Sequence, residues 1–247
     1  MLRLKSVKLL REQVVRWDEY PFNIPPIASL DALQITRRIC FFVGENGTGK
    51  STLLEAIAAH YGFGREGGNR NFSSESTTTV RAVDPLVKAL RVGFSARTGS
   101  GFYLRAESFF NVATFVDSMG ASESYGGKSL HEQSHGESFL SLLQHRFTRS
   151  GFYVMDEPEA ALSPQRQLSF LILLHELLAN NDNIQFLIAT HSPILLAYPE
   201  AQILSFDGEQ IHEISYRESQ PFQLMSRFVA APERYLNALF SNPTEQE

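Results

Sequence analysis

The sequence predicts an α/β fold built on a largely parallel sheet. Three observations point there. An apolar run at 39–43, the end of a strand read over 35–43, leads into a glycine-rich turn and then a segment of helical period. A second apolar run, 151–155, ends in two carboxylates, Asp156 and Glu157. A long helical pattern at 164–180 is followed by two more apolar runs, 184–189 and 203–206. Strands that alternate with helices are joined by crossovers, and crossovers give parallel pairing.

Taken in order, Leu2, Leu4 and residues 7–10 suggest an opening strand. Residues 20–26 carry three prolines and read as a loop or edge segment. Residues 35–43 are a buried strand. Residues 51–61 form a helix that places Leu53, Leu54, Ile57 and Ala58 on one face. Residues 62–79 are rich in Gly, Ser, Thr and Asn and read as a loop. Segments 86–94 and 102–105 read as strands, and the turn-rich Thr98, Gly99, Ser100 and Gly101 between them suggest a hairpin. A helix begins near Ser108, a polar Gly-rich stretch covers 118–135, and a second helix runs from Glu137 towards Arg146. The strand at 151–155 follows, then the helix at 164–180 with Leu168, Leu171, Leu174 and Leu178 on one face. Strands at 184–189 and 203–206 precede a helical segment at 220–240. The expected organisation is a single domain over 1–247. It has a parallel core sheet, an antiparallel β region drawn mostly from the first third, and a small helical subregion at about 108–148.

Composition is that of a folded globule long enough to bury a sizeable core, with 43% hydrophobic residues over 247 positions. Lys and Arg number 22 against 27 Asp and Glu, a net charge of -5. A nucleic-acid-binding domain usually carries a basic balance, so composition lends that class no support. The single cysteine, Cys40, lies inside an apolar run and reads as a small core residue; no intrachain disulfide can form. No signal peptide is visible and no apolar run is long enough to cross a bilayer, which leads to an expectation of a cytoplasmic protein.

The run Gly44, Glu45, Asn46, Gly47, Thr48, Gly49, Lys50, Ser51 matches G-x-x-x-x-G-K-[ST] in full. Glycines let backbone N–H groups turn inward around phosphate oxygens. Lys50 places a cation on the β/γ-phosphates, Ser51 offers a hydroxyl to Mg²⁺, and the helix that follows points its N-terminus at the anion. Asn46, Gly47, Thr48 and Thr52 complete the candidate nucleotide-binding set. The apolar strand ending at Asp156, Glu157 and Pro158 supplies the second half of such a site. There an aspartate holds Mg²⁺ and the adjacent glutamate polarises the attacking water as a general base.

These residues, with others in the same chain order, resemble the ABC-type branch of P-loop ATPases. Ser134, His135, Gly136 and Glu137 resemble its signature motif, with a helix following. Asp156, Glu157 and Pro158 resemble its Walker B strand end, residues 159–163 take the place of its D-loop, and Thr190, His191 and Ser192 take that of its switch histidine. The motifs run from Gly44 to His191. The resemblance implies a head-to-tail homodimer that sandwiches two ATP molecules. Ser134, Gly136 and Glu137 of one copy would face the γ-phosphate held by the other, and His191 would contact the γ-phosphate or the attacking water in its own copy. His135 stands where the family has its first signature glycine, and Ser163 stands at the D-loop aspartate. Glu107, at a strand-to-helix junction, is the positional candidate for the Q-loop residue beside the metal. Trp17, Tyr20 and Phe22 read as packing aromatics. Within the branch, the Asp-Glu-Pro-Glu run resembles RecF-like and chromosome-maintenance proteins more than transporters. With about ninety residues between the loop and the signature and no sustained heptads, the chain would be an armless head.

The reading implies ATP and Mg²⁺ as ligands, hydrolysis to ADP and phosphate, and a protein or nucleic-acid partner in repair or defence. The alternatives are the nucleotide-binding subunit of a membrane transporter and a slow ATP-dependent binding switch. A competing motif, His131-Glu132-Gln133-Ser134-His135, matches the zinc-protease pattern H-E-x-x-H. Gly126, Gly127 and Gly136 flank it and argue against the helix that zinc binding needs. Arg146 and Arg149 read as a solvated helix end, and Arg37 and Arg38 as strand residues paired with acids.

Overall fold

The computed structural model describes residues 2–64, 82–95, 100–106, 140, 143–144 and 150–241. In chain order the elements are β1 (Leu4–Leu9), a short helix α1 (Pro25–Ala28), β2 (Ala32–Gln34), β3 (Ile39–Val43), α2 (Lys50–Tyr61) and α3 (Asp84–Ala89). Next come β4 (Leu90–Phe94), β5 (Ser100–Arg105), β6 (Gly151–Asp156), α4 (Pro164–Asn180), β7 (Ile184–Ala189) and α5 (Pro193–Leu196). The chain closes with β8 (Gln202–Ser205), β9 (His212–Ile214), α6 (Gln220–Ala230) and α7 (Pro232–Phe240).

Two sheets form. The larger has the order β5-β6-β7-β3-β8-β9, parallel except for β9, which runs antiparallel to β8. The smaller is antiparallel, in the order β2-β1-β4. Alternation along the parallel strands divides the apolar side chains between two cores. Cys40, Phe42, Phe152, Val154 and Leu187 face one core together with α2 and the small sheet. Phe41, Tyr153, Met155, Phe186 and Ile188 face the other, together with α4 and α5. Both faces of the parallel sheet are covered, which is why its strands read as unbroken apolar runs.

The two sheets are tied by a buried polar side chain. Gln185, 1% exposed, accepts from the backbone N–H groups of Arg3 and Leu4 at 2.9 and 2.7 Å and donates to Leu4 O at 3.1 Å. A buried amide is tolerated because its donors and acceptors are met.

The mixed α/β class, the parallel core and the antiparallel region drawn from the first third agree with expectation. The helices at 51–61 and 164–180 also form, and the helical segment 220–240 folds as two helices, α6 and α7. Several local readings change. The hairpin does not form: β4 pairs with β1 in the small sheet, while β5 lies parallel to β6 in the large one. Residues 84–89 are helical, so the strand starts at Leu90. Arg37 and Arg38 precede β3 rather than lie in it, and the Arg38 Nη1 nitrogen sits 3.5 Å from Asp182 Oδ1. The face α4 buries is Gln167, Phe170, Leu173, Leu174 and Leu178, leaving Leu168 46% exposed. Helices α6 and α7 bury no residue fully. Of the helix expected from Glu137 towards Arg146, Leu140, Leu143 and Gln144 are described, all helical, with Leu143 buried in the second core. The helix expected near Ser108 and the loop at 118–135 lie outside the described residues.

Candidate functional site

The strand register puts the functional segments at one edge of the sheet. Asp156 pairs with Ala189 across β6 and β7, Ala189 with Phe42 across β7 and β3, and Val43 with Ser205 across β3 and β8. The chain segments after β3, β6, β7 and β8 therefore leave the carboxyl ends of neighbouring parallel strands side by side. Open α/β sheets form their crevices at that edge.

The loop after β3 is shaped by its glycines. Gly49 holds φ at 94° and is the N-cap of α2. A Cβ there would lie 3.1 Å from both Ile24 Cγ2 and Ile27 Cγ1. Asn46 and Gly47 stand exposed at the crown of the loop. Thr48 ties it below, donating its hydroxyl to Glu45 O at 2.8 Å. The Lys50 ammonium is buried and donates to the carbonyls of Gly44 and Glu45 at 2.7 and 2.8 Å. Burial pushes the lysine below its ordinary pKa, opposed by the negative charges of Glu157, Asp207, Asp156 and Glu45. Asp207, just past β8, accepts from Glu45 N at 2.9 Å and braces the start of the loop. On the outer side, the hydroxyls of Tyr20 and Thr52 lie 3.0 Å apart.

Ser51 and Asp156 meet across the crevice, with Ser51 Oγ donating to Asp156 Oδ1 at 2.8 Å. Asp156 is 7% exposed, and its other oxygen lies 3.8 Å from Arg105 Nε. Arg105 also approaches Glu55 Oε2 at 3.5 Å. Each buried charge thus has an opposite charge nearby, which offsets desolvation. A hydroxyl and a carboxylate are hard oxygen donors. They suit Mg²⁺, which takes one or two protein ligands and fills its remaining positions with water and substrate phosphate. No group of three His, Cys, Asp or Glu residues able to hold a metal occurs among the described residues.

Glu157 follows at once, in the left-handed region at φ 51°, ψ 52°. Its backbone N–H donates to Ala189 O at 2.9 Å. This conformation is uncommon for a non-glycine residue and recurs at functional sites. Glu157 Oε1 stands 3.6 Å from His191 Nε2, within ion-pair range but too far for a hydrogen bond. Burial lowers the His191 pKa, the Lys50 cation lowers it further, and Glu157 opposes both. Buried His191 Nε2 has no hydrogen-bond partner among the described residues.

His191 is held through its backbone. Glu159 Oε1 accepts from His191 N at 2.5 Å. Next to it, Ser192 caps α5 by accepting from Ile194 N and Leu195 N, and donates to Gln167 Oε1 at 2.5 Å. A cavity of about 580 Å³ opens beside the loop, walled by Gly44, Glu45 and His191 and by Leu224, Phe228 and Tyr235 of α6 and α7.

The structure therefore brings Gly44, Gly49, Lys50, Ser51, Asp156, Glu157 and His191 together around one crevice. Glu107, Ser134, Gly136, Glu137 and the H-E-x-x-H run lie outside the described residues. The aromatics read as packing residues behave as such in part: Phe22 is buried, and Trp17 lies under the Arg11 guanidinium at 5.1 Å. Two neighbours of the crevice escaped the sequence reading, Arg105 and Asp207, and no local signal pointed to either. Glu159, read only as the start of the D-loop segment, turns out to lie against His191.

The family described as an AAA ATPase domain matches residues 134–196, the stretch that holds Asp156, Glu157 and His191. No curated protein matches the chain in sequence. Among solved structures, the chain is similar to CbiO1 from Clostridium perfringens, part of the ABC transporter complex CbiONQ. The TM-score is 0.51 at 16% identity, over 97% of this chain and 99% of that one. An inward-facing transporter assigned to the metal-chelate ABC type superposes at TM-score 0.52 and 16% identity, over 88% and 85%. An SMC head bound to the C-winged helix domain of ScpA does so at 0.50 and 12%, over 87% and 98%. The crevice at the carboxyl edge of the parallel sheet is therefore set in a fold like that of these ABC-transporter and SMC-head structures.

Proposed function

We propose that the chain binds ATP with Mg²⁺ and hydrolyses it to ADP and phosphate, and that two ATP-bound copies pair head to tail to act on a protein or nucleic-acid partner in repair or defence. The observation that carries the proposal is the convergence of Lys50 and Ser51 with Asp156, Glu157 and His191 at the carboxyl edge of the sheet.

The site divides the work. Gly44, Asn46, Gly47, Thr48 and Gly49 turn backbone toward the phosphates, and Lys50 faces them with a cation that is already desolvated. Ser51 and Asp156 would hold Mg²⁺, with Thr52 beside them. When bound, the metal neutralises charge on the phosphate oxygens. Glu157 is the general base: it takes a proton from water as the water oxygen bonds to the γ-phosphorus and the bond to the ADP oxygen breaks. His191, neutral near pH 7 because burial lowers its pKa, offers its unpartnered Nε2 toward the terminal phosphate. By resemblance, Ser134, Gly136 and Glu137 of the second copy would complete the site, and Glu107 would lie near the metal.

Solution mass with and without ATP tests the pairing. Glu157→Gln should bind ATP, fail to turn it over and double in mass. If it stays monomeric while the wild type hydrolyses ATP, the homodimer is wrong and another subunit completes the site. Co-purification with a membrane protein would move the partner from repair or defence to transport.

A further inference from the structure

The residues around His191 form a connected set that the hydrolytic pair itself does not use. Glu159 sits in the 3₁₀ turn Pro158–Ala161, two residues past Glu157. Its Oε1 accepts from the backbone N–H of His191 at 2.5 Å; the carboxyl group also lies against the Thr190 hydroxyl and its own backbone N–H, and its buried Oε2 completes no hydrogen bond of good geometry among the described residues. A carboxylate this far from water is costly to keep unless it fixes something. A second tie runs in parallel: Ser192 Oγ donates to Gln167 Oε1 at 2.5 Å, and Gln167 Nε2 donates to Leu162 O at 3.1 Å. The segment after β6 and the start of α4 thus grip the loop after β7 at two successive residues. The imidazole Nε2 has no hydrogen bond to set its direction among the described residues. The ties that fix this residue beside Glu157, 3.6 Å away, are those of its backbone and its neighbour Ser192.

We infer that Glu159 is a positioning residue for hydrolysis: by accepting the His191 N–H it holds the imidazole over the Glu157 carboxylate, without touching nucleotide. The inference rests on the reading of Glu157 and His191 as the hydrolytic pair. It also ties that pair to the turn Pro158–Ala161.

Three changes separate the roles of the side chain. Glu159→Gln keeps an acceptor oxygen at the same reach and drops the charge. Glu159→Asp keeps the charge and withdraws it by one methylene. Glu159→Ala removes both. Positioning predicts that Ala and Asp lower kcat by about 10- to 100-fold while KM and directly measured ATP affinity stay within about 3-fold, and that Gln keeps kcat within about 3-fold of wild type. His191→Ala should lower kcat comparably, and Glu159→Ala added to it should cost nothing further, since the two act as one unit. The inference is overturned if Gln is as slow as Ala, if Asp is as fast as wild type, if the losses of Glu159→Ala and His191→Ala multiply, or if ATP affinity falls with kcat. Should Glu159→Ala fail to fold, the Gln and Asp pair decides alone. If His191→Ala leaves kcat unchanged, the hydrolytic pair and this inference fall together; if His191→Ala is slow and Glu159→Asp is not, only the inference falls.

Discussion

Ser51 Oγ donates a hydrogen bond to Asp156 Oδ1 at 2.8 Å, across 105 residues of sequence. The contact joins the first turn of the helix after the glycine-rich loop to the end of a strand two places away in the sheet. Neither residue can make a hard-oxygen metal site alone. Together they place a hydroxyl and a carboxylate within reach of one small cation, beside a buried lysine.

Lys50 is the first residue to test. Replacing it with alanine removes the buried ammonium tied to the loop and leaves the carbonyls of Gly44 and Glu45 without that donor. ATP turnover should fall by about 10²- to 10³-fold, as when a preorganised charge is removed. Phosphate release measured against wild type at equal ATP checks this.

The glycines of the loop should not be equivalent. At Gly49 a methyl group would meet Ile24 and Ile27 at 3.1 Å with φ held at 94°, so Gly49→Ala combines backbone strain with crowding. At Gly47, φ is 82° but nothing lies within 4 Å of the added atom. Denaturant unfolding should show Gly49→Ala losing about 2–4 kcal/mol and Gly47→Ala about 1–2 kcal/mol.

Stability should depend on pH through Glu159. Burial raises its carboxyl pKa above the ordinary value. Between the unfolded and folded pKa values the native chain keeps a proton that the unfolded chain gives up, so this group's contribution to stability falls as pH rises through that interval. Glu159→Gln lacks the titration. Its stability relative to wild type should therefore climb from about pH 4 upward and level off above the folded pKa. Urea midpoints for the two proteins at matched pH values measure the difference. A difference that is flat with pH, or one that climbs toward acid, contradicts the assignment.

What the sequence made legible was the chemistry that is local in the chain. The loop 44–51 declares itself because phosphate binding needs glycines and a lysine at fixed spacing, and 151–157 because, beside such a loop, two acids at a strand end supply the metal ligand and the base it lacks. Long-range partners are another matter. Asp207 reaches Glu45, and Arg105 reaches Asp156, only because the sheet order sets β8 beside β3 and β5 beside β6. The false hairpin has the same origin. A turn-rich stretch between two apolar runs fits a hairpin, but Phe102, Tyr103 and Leu104 are all buried, as in a strand covered on both faces, whereas β4 is only partly buried beyond Leu90. On α4 the leucine stripe misleads because a glutamine, Gln167, takes an inward position, where its hydrogen bonds to Leu162 and Ser192 compensate its polarity.

The most direct test of the central claim is steady-state phosphate release by wild type and Glu157→Gln, with ATP binding measured on both. The account predicts that both bind ATP and that the variant is slower by about 10²- to 10⁴-fold, the usual contribution of a positioned general base. Equal rates for the two proteins, or a wild-type rate no higher than that of Lys50→Ala, would contradict hydrolysis at this site.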